Sequence, residues 1–408
     1  MKVLLLTPQR PYPPHQGTTM RNFYLVAELA KRHDVSVLSF LEPDQVPDHG
    51  PLAGLCRWIE TLPAPRRTTG RRLQQLLAST RPDMSWRLWS PDFQRRLAAR
   101  LAAETFDVVQ IEAIEMSPYL STIEAARAAN RRPLIIYDAH NAEWILQKRA
   151  FTTDWRLPRR WPAAAYSFVQ WRRLRRYEGD VCRRCDAVFA VSEADREALL
   201  ALEPELEATI IPNGVDLKSH LRFEGPRKAF DLVFTGKMDF RPNVDAMLWF
   251  GREILPRVQA ERPATSLAVV GQRPHPRLEA LRSLPGVTIT GWVEDVRPYI
   301  AGAAVYVAPL RMGGGTRLKL LQAMAMGKAI VSTTVGAEGF AIAPGRELCL
   351  ADAPASFAAA VLALLRDPAR RLALGEAARQ FVTARFGWEA LVPQMEAVYE
   401  RLKDERCA

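Results

Sequence analysis

The chain has 408 residues and a formal net charge of +11, with 48% apolar and 25% charged side chains. This is the composition of an ordinary soluble globular protein, and the length suits two domains better than one hydrophobic core. No apolar run reaches the roughly 18 residues of a membrane span, so we do not expect a membrane-spanning protein. Because the five cysteines are scattered, we expect no disulfide framework and a protein of the reducing cytoplasm.

Short apolar runs alternate with helical patterns along the first half of the chain. The opening run VLLLTP, residues 3–8, is too short for a signal-peptide core and predicts a buried strand. Apolar strands that do not alternate with polar residues, and that are separated by helices, indicate a parallel sheet covered on both faces. The further strands predicted in this half are 34–40, 107–112, 133–141 and 187–192.

The second half repeats this pattern, which predicts two doubly wound α/β domains rather than one. Its predicted strands are 231–238, 266–271, 287–293, 304–310 and 329–334. The segment between the halves contains Pro, Asn-Gly and charged residues without periodicity, as a linker does. The predicted division is a first domain over 1–210, a hinge linker over 211–228, a second domain over 229–385, and a last helix over 386–408 that packs back across the hinge.

The stretch RMGGGTRLKLLQAMAMGK, residues 311–328, follows a predicted strand and opens a predicted helix. Ligands of doubly wound sheets bind at such strand ends, near helix N-termini. Glycines there let backbone N–H groups approach an anion closely, and a threonine can cap the helix. The residues concerned are Gly313, Gly314, Gly315 and Thr316.

Two basic residues, Arg317 and Lys319, lie in the first turn of that predicted helix. Cations at a helix N-terminus oppose the helix dipole, so their position is explained if a diphosphate binds there. The spacing GxxxxGK[ST] of a P-loop is absent. A flexible turn with incidental basic residues is the alternative interpretation.

Other strand ends of the second half carry candidate ligand-binding residues. In TGKMDFRPN a predicted strand ends at Gly236, and Lys237 and Arg241 could both face the same phosphate. Gly271 ends the next predicted strand, and GWV, which ends at Val293, lies where a nucleoside base could rest on strand-end backbone. The alternatives are a surface arginine and ordinary strand termini.

Polar residues also follow two predicted strands of the first half. Gly17 lies at a strand–helix turn, with Thr18 and Thr19 available as caps. The strand predicted over 133–141 ends in polar side chains that include His140. A single histidine is more often structural, but one at the carboxyl end of a buried strand, beside other polar groups, is a candidate for a role in a site.

Arginines are concentrated in two segments, 66–82 and 148–176, and aromatic residues are interspersed in the second. This combination suits nucleic acid or the surface of an anionic membrane. Because no recognisable nucleic-acid-binding motif accompanies it, we expect no nucleic-acid partner and favour an anionic membrane surface or a phosphorylated ligand. A solvated arginine-rich face is the alternative.

Taken together, these stretches resemble the retaining glycosyltransferases of family 4, which have the GT-B fold of two facing Rossmann-like domains with a central cleft. The resemblance extends over nearly the whole chain. The matching stretches are the Gly17 loop, YDAHN with His140, VS at 191–192, IPNGVD at 211–216, FTG at 234–236, GWV, and PLRMGGGTRLKLLQAMAMGKAIVST.

The resemblance implies transfer of a sugar, with retention, from a nucleotide-diphosphate sugar donor to a glycan or polyprenyl-linked acceptor in polysaccharide or cell-envelope glycan synthesis. It implies that His140 lies at the catalytic face, near the transferred sugar. Lys237 and Arg241, or Lys319, would neutralise the donor diphosphate, which the glycine loop would also reach. The backbone around Val293 would hold the base. No metal and no cofactor are expected, and the protein would be cytoplasmic or peripheral on the inner face of the plasma membrane.

Two features depart from the family pattern. Relatives often carry two glutamates eight residues apart, where this chain has Gly314 and Gln322. An ionised glutamate accepts from both ribose hydroxyls, whereas an amide offers one acceptor oxygen, a change worth about 1 kcal/mol of donor binding. Pro242 stands where many relatives have the second phosphate-binding cation.

Three alternative functions stay open. Gln322 suggests a catalytically impaired relative that binds a nucleotide sugar. A nucleotide-sugar epimerase shares the two-domain architecture. Nucleic-acid binding through the arginine-rich segments would show a steep salt dependence.

Overall fold

The chain forms two compact units. The first unit comprises Met1–Pro212 together with Leu391–Ala408, and the second unit comprises Asn213–Ala390. Within the described ranges, none of the helices is both long enough and apolar enough to cross a membrane. The residues that the computed structural model describes are 1–14, 17–42, 48–129, 133–221, 223–312 and 317–407.

The first unit is built on a parallel sheet of seven strands within the described residues. They are β1 (Lys2–Thr7), β2 (Asp34–Leu41), β3 (Trp58–Pro63), β4 (Val108–Glu112), β5 (Leu134–Ala139), β6 (Ala187–Ala190) and β7 (Ala208–Ile210). Their order is β3-β2-β1-β4-β5-β6-β7, and every pairing is parallel. All six residues of β5 are buried, as expected where both faces of a sheet are covered.

The second unit contains a parallel sheet of six strands, again counted over the described residues. They are β8 (Phe230–Thr235), β9 (Leu267–Val270), β10 (Val287–Gly291), β11 (Ala303–Ala308), β12 (Ala329–Ser332) and β13 (Cys349–Leu350). Their order is β10-β9-β8-β11-β12-β13. Each sheet reverses its direction of winding beside its first strand, between β1 and β4 and between β8 and β11, which is where doubly wound sheets bind ligands.

Helices cover the sheets. In the first unit they are α1 (Gly17–Leu29), α2 (Thr69–Ala78), α3 (Asp83–Arg87), α4 (Pro91–Ala103), α5 (Leu120–Ala128), α6 (Glu143–Trp155), α7 (Trp161–Arg184) and α8 (Glu193–Leu200). In the second unit they are α9 (Leu217–Leu221), α10 (Arg241–Trp249), α11 (Leu255–Glu261), α12 (Arg297–Gly302), α13 (Leu318–Ala325), α14 (Pro354–Arg366) and α15 (Pro368–Arg385). The last helix, α16 (Trp388–Cys407), begins in the second unit and continues into the first.

Two consecutive residues of β8, whose side chains point to opposite faces, show that the second sheet is covered on both faces. Phe234 joins a hydrophobic cluster that includes Phe357 of α14. Its neighbour Val233 joins a different cluster, which includes Leu320 of α13 and Ala378 of α15. The predicted doubly wound α/β architecture, with two parallel sheets, is therefore confirmed.

Three strands were not predictable from apolar runs: β3, β7 and β13. All three lie at sheet edges, and the residues of β3 and β7 are only partly buried or exposed, so their sequences lack the continuous apolar run of a central strand. The segment 211–228, predicted as a linker, contains the short helix α9, and Val215 forms a parallel bridge with Gly387. In α16, the part from Leu391 onward belongs to the first unit.

Candidate functional site

Two glycines let the ends of β8 and β9 lie close together at the carboxyl edge of the second sheet. Gly236, with φ of 155°, and Gly271, with φ of 151°, both have backbone angles that favour glycine. A Cβ atom on Gly271 would lie 1.7 Å from the carbonyl oxygen of Gly236, a distance that no side chain tolerates. The structure thus brings these two predicted site residues together.

Lys319 reaches the same edge from α13. Its Nζ donates to Asn243 Oδ1 at 2.6 Å and lies 4.2 Å from the centre of the Phe234 ring. A Cβ atom on Gly236 would lie 2.8 Å from this Nζ, so the glycine makes room for the lysine. Burial, and then the charge of Arg317, lower the pKa of Lys319 to about 7. Because its hydrogen-bond partner is a neutral amide, an anionic ligand would stabilise the charged form.

The start of α13 differs from its prediction. The sequence predicts a helix from about Thr316, whereas the helix begins at Leu318 with Arg317 as its N-cap residue. The glycine loop and the predicted threonine cap, residues Gly313, Gly314, Gly315 and Thr316, lie outside the described residues. Their role in binding an anion stays a prediction.

Two further predicted cations flank the start of α10. The Lys237 side chain is 37% exposed, and its Nζ lies 3.8 Å from the carboxylate of Asp239. Arg241 is the exposed first residue of α10 and is followed by the buried Pro242. Proline is favoured in the first turn of a helix, where its missing N–H has no helical partner, which gives Pro242 a structural reason. Asn243 Nδ2 donates to the Lys237 carbonyl at 2.8 Å, so Asn243 links this turn to Lys319.

Val293 and Gln322 both lie in the second unit. Val293 follows β10 and packs, partly buried, against the cluster that also contacts Leu318. Gln322 is half-buried on α13, one turn after Leu318. Their predicted contacts with the base and the ribose stay predictions.

A buried network of charges lies at the carboxyl edge of the first sheet. Arg21 Nε and Nη2 donate to the two carboxylate oxygens of Asp138 at 3.0 and 2.9 Å. His140 Nε2 lies 2.9 Å from Glu112 Oε2. Glu112 and Asp138 are directly paired in register on β4 and β5, so the sheet itself holds the Arg21–Asp138 ion pair beside the His140–Glu112 contact.

Burial decides the protonation of this network. It raises the pKa of Glu112 to about 7 and that of Asp138 to about 6, against the opposing charge of Arg21. It lowers the pKa of His140 to about 4, so the imidazole is neutral near pH 7. When Glu112 is ionised, His140 donates its Nε2 hydrogen to that carboxylate, which leaves Nδ1 as an acceptor.

Glu112, Asp138 and His140 are also close enough to be considered as metal ligands, since their ligand atoms lie within 4.8 Å of one another. Asp138 is, however, held by Arg21 through two hydrogen bonds. A metal ion would have to displace this guanidinium, so the arrangement fits an ion-pair network better than a metal site.

Residues distant in sequence complete the network. Gln110 Nε2 donates to Glu112 Oε1 at 2.6 Å, and the hydroxyl of Tyr399, on α16, donates to Gln110. Arg21 also donates to the carbonyls of Ile211 and Pro212. Of these groups, Glu112 could have been found as the polar end of a predicted strand, whereas Arg21 and Tyr399 lie inside helices and gave no signal.

The predicted Gly17 turn belongs to the same region of the first unit. Gly17 is the exposed first residue of α1, and Arg21 follows it by one helical turn. Since Arg21 binds Asp138, two residues before His140, the two site predictions for the first half lie at one sheet edge.

A second buried acid holds the chain that follows His140. Glu178 of α7 accepts hydrogen bonds from the amides of Glu143 and Trp144, at 3.1 and 2.9 Å, where α6 begins. Burial raises the pKa of Glu178 to about 8. This carboxyl group therefore fixes the start of α6 relative to α7.

Two family models match the chain. One, described as glycosyltransferase family 4, matches residues 16–219. The other, described as glycosyl transferases group 1, matches residues 229–367. The first match lies on the first unit and extends over the first few residues of the second unit. The second match lies wholly on the second unit.

One similar sequence is a phosphatidyl-myo-inositol mannosyltransferase of Mycobacterium tuberculosis. It is 30% identical over 214 residues, which are 48% of this chain and 54% of that protein. The curated relatives that the chain resembles are each matched over less than two thirds of their own length.

Solved structures match over almost the whole chain. The sucrose-phosphate synthase of Thermosynechococcus elongatus superposes with a TM-score of 0.71 at 19% identity, covering 98% of this chain and 99% of that one. HepE of Anabaena, solved in complex with UDP and glucose, superposes with a TM-score of 0.66 at 15% identity, covering 98% and 100%. At such identities the likeness is one of fold.

Proposed function

Because the chain belongs to glycosyltransferase family 4 and has the GT-B fold of two Rossmann-like domains, we propose that it moves a hexose, with retention, from a nucleoside-diphosphate donor to a glycan or lipid-linked acceptor. The observation that carries the donor site is Lys319, a half-buried cation with a lowered pKa at a strand end opened by Gly236 and Gly271.

The donor diphosphate binds at this strand end. Partial burial of a cation beside a neutral amide costs free energy, and a diphosphate that approaches Lys319 offsets that cost. Lys237 and Arg241, at the adjacent turn, add positive charge from the exposed side. Backbone near Val293 holds the base. That HepE was solved with UDP supports a nucleotide-sugar donor.

Catalysis in this proposal is the stabilisation of the leaving diphosphate by fixed positive charge. Lys319 supplies that charge without a metal ion, and the donor is a substrate rather than a cofactor. His140 lies near the transferred sugar, where its neutral ring accepts a hydrogen bond through Nδ1 while Glu112 fixes its orientation. Attack from the face that the diphosphate leaves gives retention.

The acceptor belongs to polysaccharide or cell-envelope glycan synthesis in the cytoplasm. A lipid-linked acceptor is favoured over a free glycan because a similar protein carries the name phosphatidyl-myo-inositol mannosyltransferase. The exposed aromatic and basic side chains of α6 and α7, such as Trp155, Trp161 and Arg172, suit such an acceptor.

A ligand screen followed by a transfer assay tests this function. Nucleoside diphosphates and nucleotide sugars are first compared by thermal shift, since a ligand at 100 times its Kd stabilises a protein by about 2.7 kcal/mol. The selected donor is then incubated with lipid-linked and glycan acceptors, and nucleoside diphosphate release and the anomeric configuration of the product are measured. We expect His140→Gln to retain the thermal shift and lose transfer.

Other outcomes separate the alternatives. Epimer formation without release of nucleoside diphosphate would identify an epimerase. Donor binding without turnover, with turnover gained in Gln322→Glu, would identify a catalytically impaired relative. A product of inverted configuration would contradict retention.

A further inference from the structure

The turn between α6 and α7 displays an exposed aromatic cluster. Trp155 is 58% exposed and Trp161 54%, and Leu157 between them is also exposed. The two indoles stack with ring centroids 5.8 Å apart, and Trp161 Nε1 donates to the Trp155 carbonyl. The centroid of the Phe151 ring lies 5.8 Å from that of Trp155 and 5.3 Å from that of Phe168. The cluster is thus held in place while its outer surface stays in water.

One stripe of α7 continues this surface. Trp161, Phe168, Arg172 and Arg176 are all exposed and follow one another at helical spacing, so they lie on one side of the helix. The opposite side is buried, as Leu174 shows. The exposed stripe is therefore apolar and aromatic near the turn and basic beyond it.

Helix α2 adds aliphatic side chains. None of its residues is buried, and Leu73 and Leu77 are 57% and 78% exposed. The helix is attached to α7, because Arg173 Nη2 donates to the Leu76 carbonyl at 2.8 Å. We call the surface formed by Trp155, Leu157, Trp161, Phe168, Arg172 and Arg176 the hairpin face; α2, with Leu73 and Leu77, lies beside it.

The segment that carries this face is strongly basic. Between residues 144 and 177 the only acid in the sequence is Asp154, and it is paired with Arg160 at 2.9 Å. The cations of the same segment are Lys148, Arg149, Arg156, Arg159, Arg160, Arg172, Arg173, Arg175 and Arg176. Arg172, Arg175, Arg176 and Arg183 also line one concavity on α7, together with Glu203.

We propose that the hairpin face binds the surface of a bilayer that contains anionic phospholipid. The indoles and leucines enter the headgroup level, where amphipathic aromatic residues are favoured, and the arginines bind lipid phosphates. The long arginine side chains keep their guanidinium groups in this polar layer. The proposal goes beyond sugar transfer and does not depend on it, since vesicle binding requires neither donor nor acceptor.

A bilayer fits these side chains better than other anionic or apolar partners do. Single-stranded nucleic acid stacks on aromatic rings, but the exposed leucines Leu73, Leu77 and Leu157 offer bases no stacking surface. A second copy of the chain would bring two faces of the same positive charge together, which is unfavourable. A lipid surface satisfies the apolar and the basic halves at once.

Vesicle co-sedimentation tests the proposal with the full chain. Vesicles of phosphatidylcholine alone are compared with vesicles that also contain phosphatidylglycerol, at low and at high salt. We expect binding to the anionic vesicles, weakened by salt. The double variant Arg172→Gln with Arg176→Gln should lower the affinity about fivefold for each arginine removed. The double variant Trp155→Ser with Trp161→Ser should lower it by at least about tenfold.

The matched control removes the same charge elsewhere. Arg252 and Arg257 are exposed cations of the second unit, and Arg252→Gln with Arg257→Gln should leave vesicle binding unchanged. Each variant is first compared with the parent protein by thermal melting.

Four results would overturn the proposal. They are equal binding to neutral and anionic vesicles, equal losses in the two charge variants, salt-dependent retention on DNA with no vesicle binding, and self-association without vesicle binding, which would indicate a second copy of the chain as the partner. Since nucleoside diphosphate binding is measured separately, failure here leaves the donor site untouched.

Discussion

At the carboxyl edge of the first sheet, the buried charges meet partners within their own unit. Arg21 binds Asp138, and His140 lies against Glu112. At the carboxyl edge of the second sheet, the half-buried Lys319 contacts the neutral amide of Asn243. Both edges are strand ends of doubly wound sheets, so the difference lies in the side chains and not in the fold.

The two edges therefore use their buried charges differently. In the first unit Arg21 offsets part of the cost of burying Asp138 and Glu112, so the network fixes the positions of its own side chains. In the second unit Lys319 is desolvated beside a neutral amide, and an anionic ligand can remove that cost. We expect mutation of the first edge to affect stability most, and mutation of the second edge to affect ligand binding most.

The largest expected effect is loss of stability on breaking the first network. Arg21→Leu leaves Asp138 buried without its cation, and we expect the free energy of unfolding of the first unit to fall by about 3–5 kcal/mol. Urea denaturation followed by tryptophan fluorescence measures this change.

The control for this variant is a cation paired at the surface. Arg95 is 78% exposed and pairs with Asp92 on the same helix, so Arg95→Leu should cost less than about 1 kcal/mol. If the two substitutions cost the same, the first edge is not a network of mutually stabilising charges.

The second prediction concerns the binding of a nucleoside diphosphate as pH changes. Lys319 has a pKa of about 7 in the free protein, and a bound anion raises the pKa of the lysine. Affinity should therefore be greatest below pH 7 and fall by up to about tenfold per pH unit above it. Calorimetric titration with the diphosphate over this range measures the slope.

Two variants isolate the contribution of Lys319. Lys319→Met should bind more weakly and show only the pH dependence of the ligand itself. Lys237→Met, which removes a half-exposed cation from the adjacent turn, should keep the slope of the parent protein. Identical slopes in the parent and in Lys319→Met would show that this lysine does not meet the phosphates.

The sequence was most informative where physical constraints act locally. Long apolar runs predicted the central strands, and strand-end glycines predicted the edge of the second sheet, because only glycine fits positions such as Gly271. The Arg21–Asp138 pair spans 117 residues, and nothing in the periodicity of α1 indicates that this arginine points inward. Lys319 was predicted as a cation of a helix turn, but its contact with the Phe234 ring depends on tertiary packing.

The smallest expected effect concerns Glu178, which belongs to the first edge but faces backbone amides instead of a cation. Its pKa of about 8 lies above the ordinary value of 4.5, so the folded state holds the proton more tightly than the unfolded state. The associated stability is present below about pH 4.5 and is lost as pH rises towards 8. Glu178→Gln cannot ionise and should lose this part of the dependence. The melting temperature of Glu178→Gln minus that of the parent protein should be larger at pH 8 than at pH 5, by at least about 3 °C. The control Glu193→Gln, at an exposed position of α8, should show no such change in this difference.

A Glu178→Gln variant that melts in parallel with the parent protein at every pH would mean that the carboxyl group is ionised in the fold. The first edge would then hold one more buried charge without a cation, and its contrast with Lys319 would be weaker.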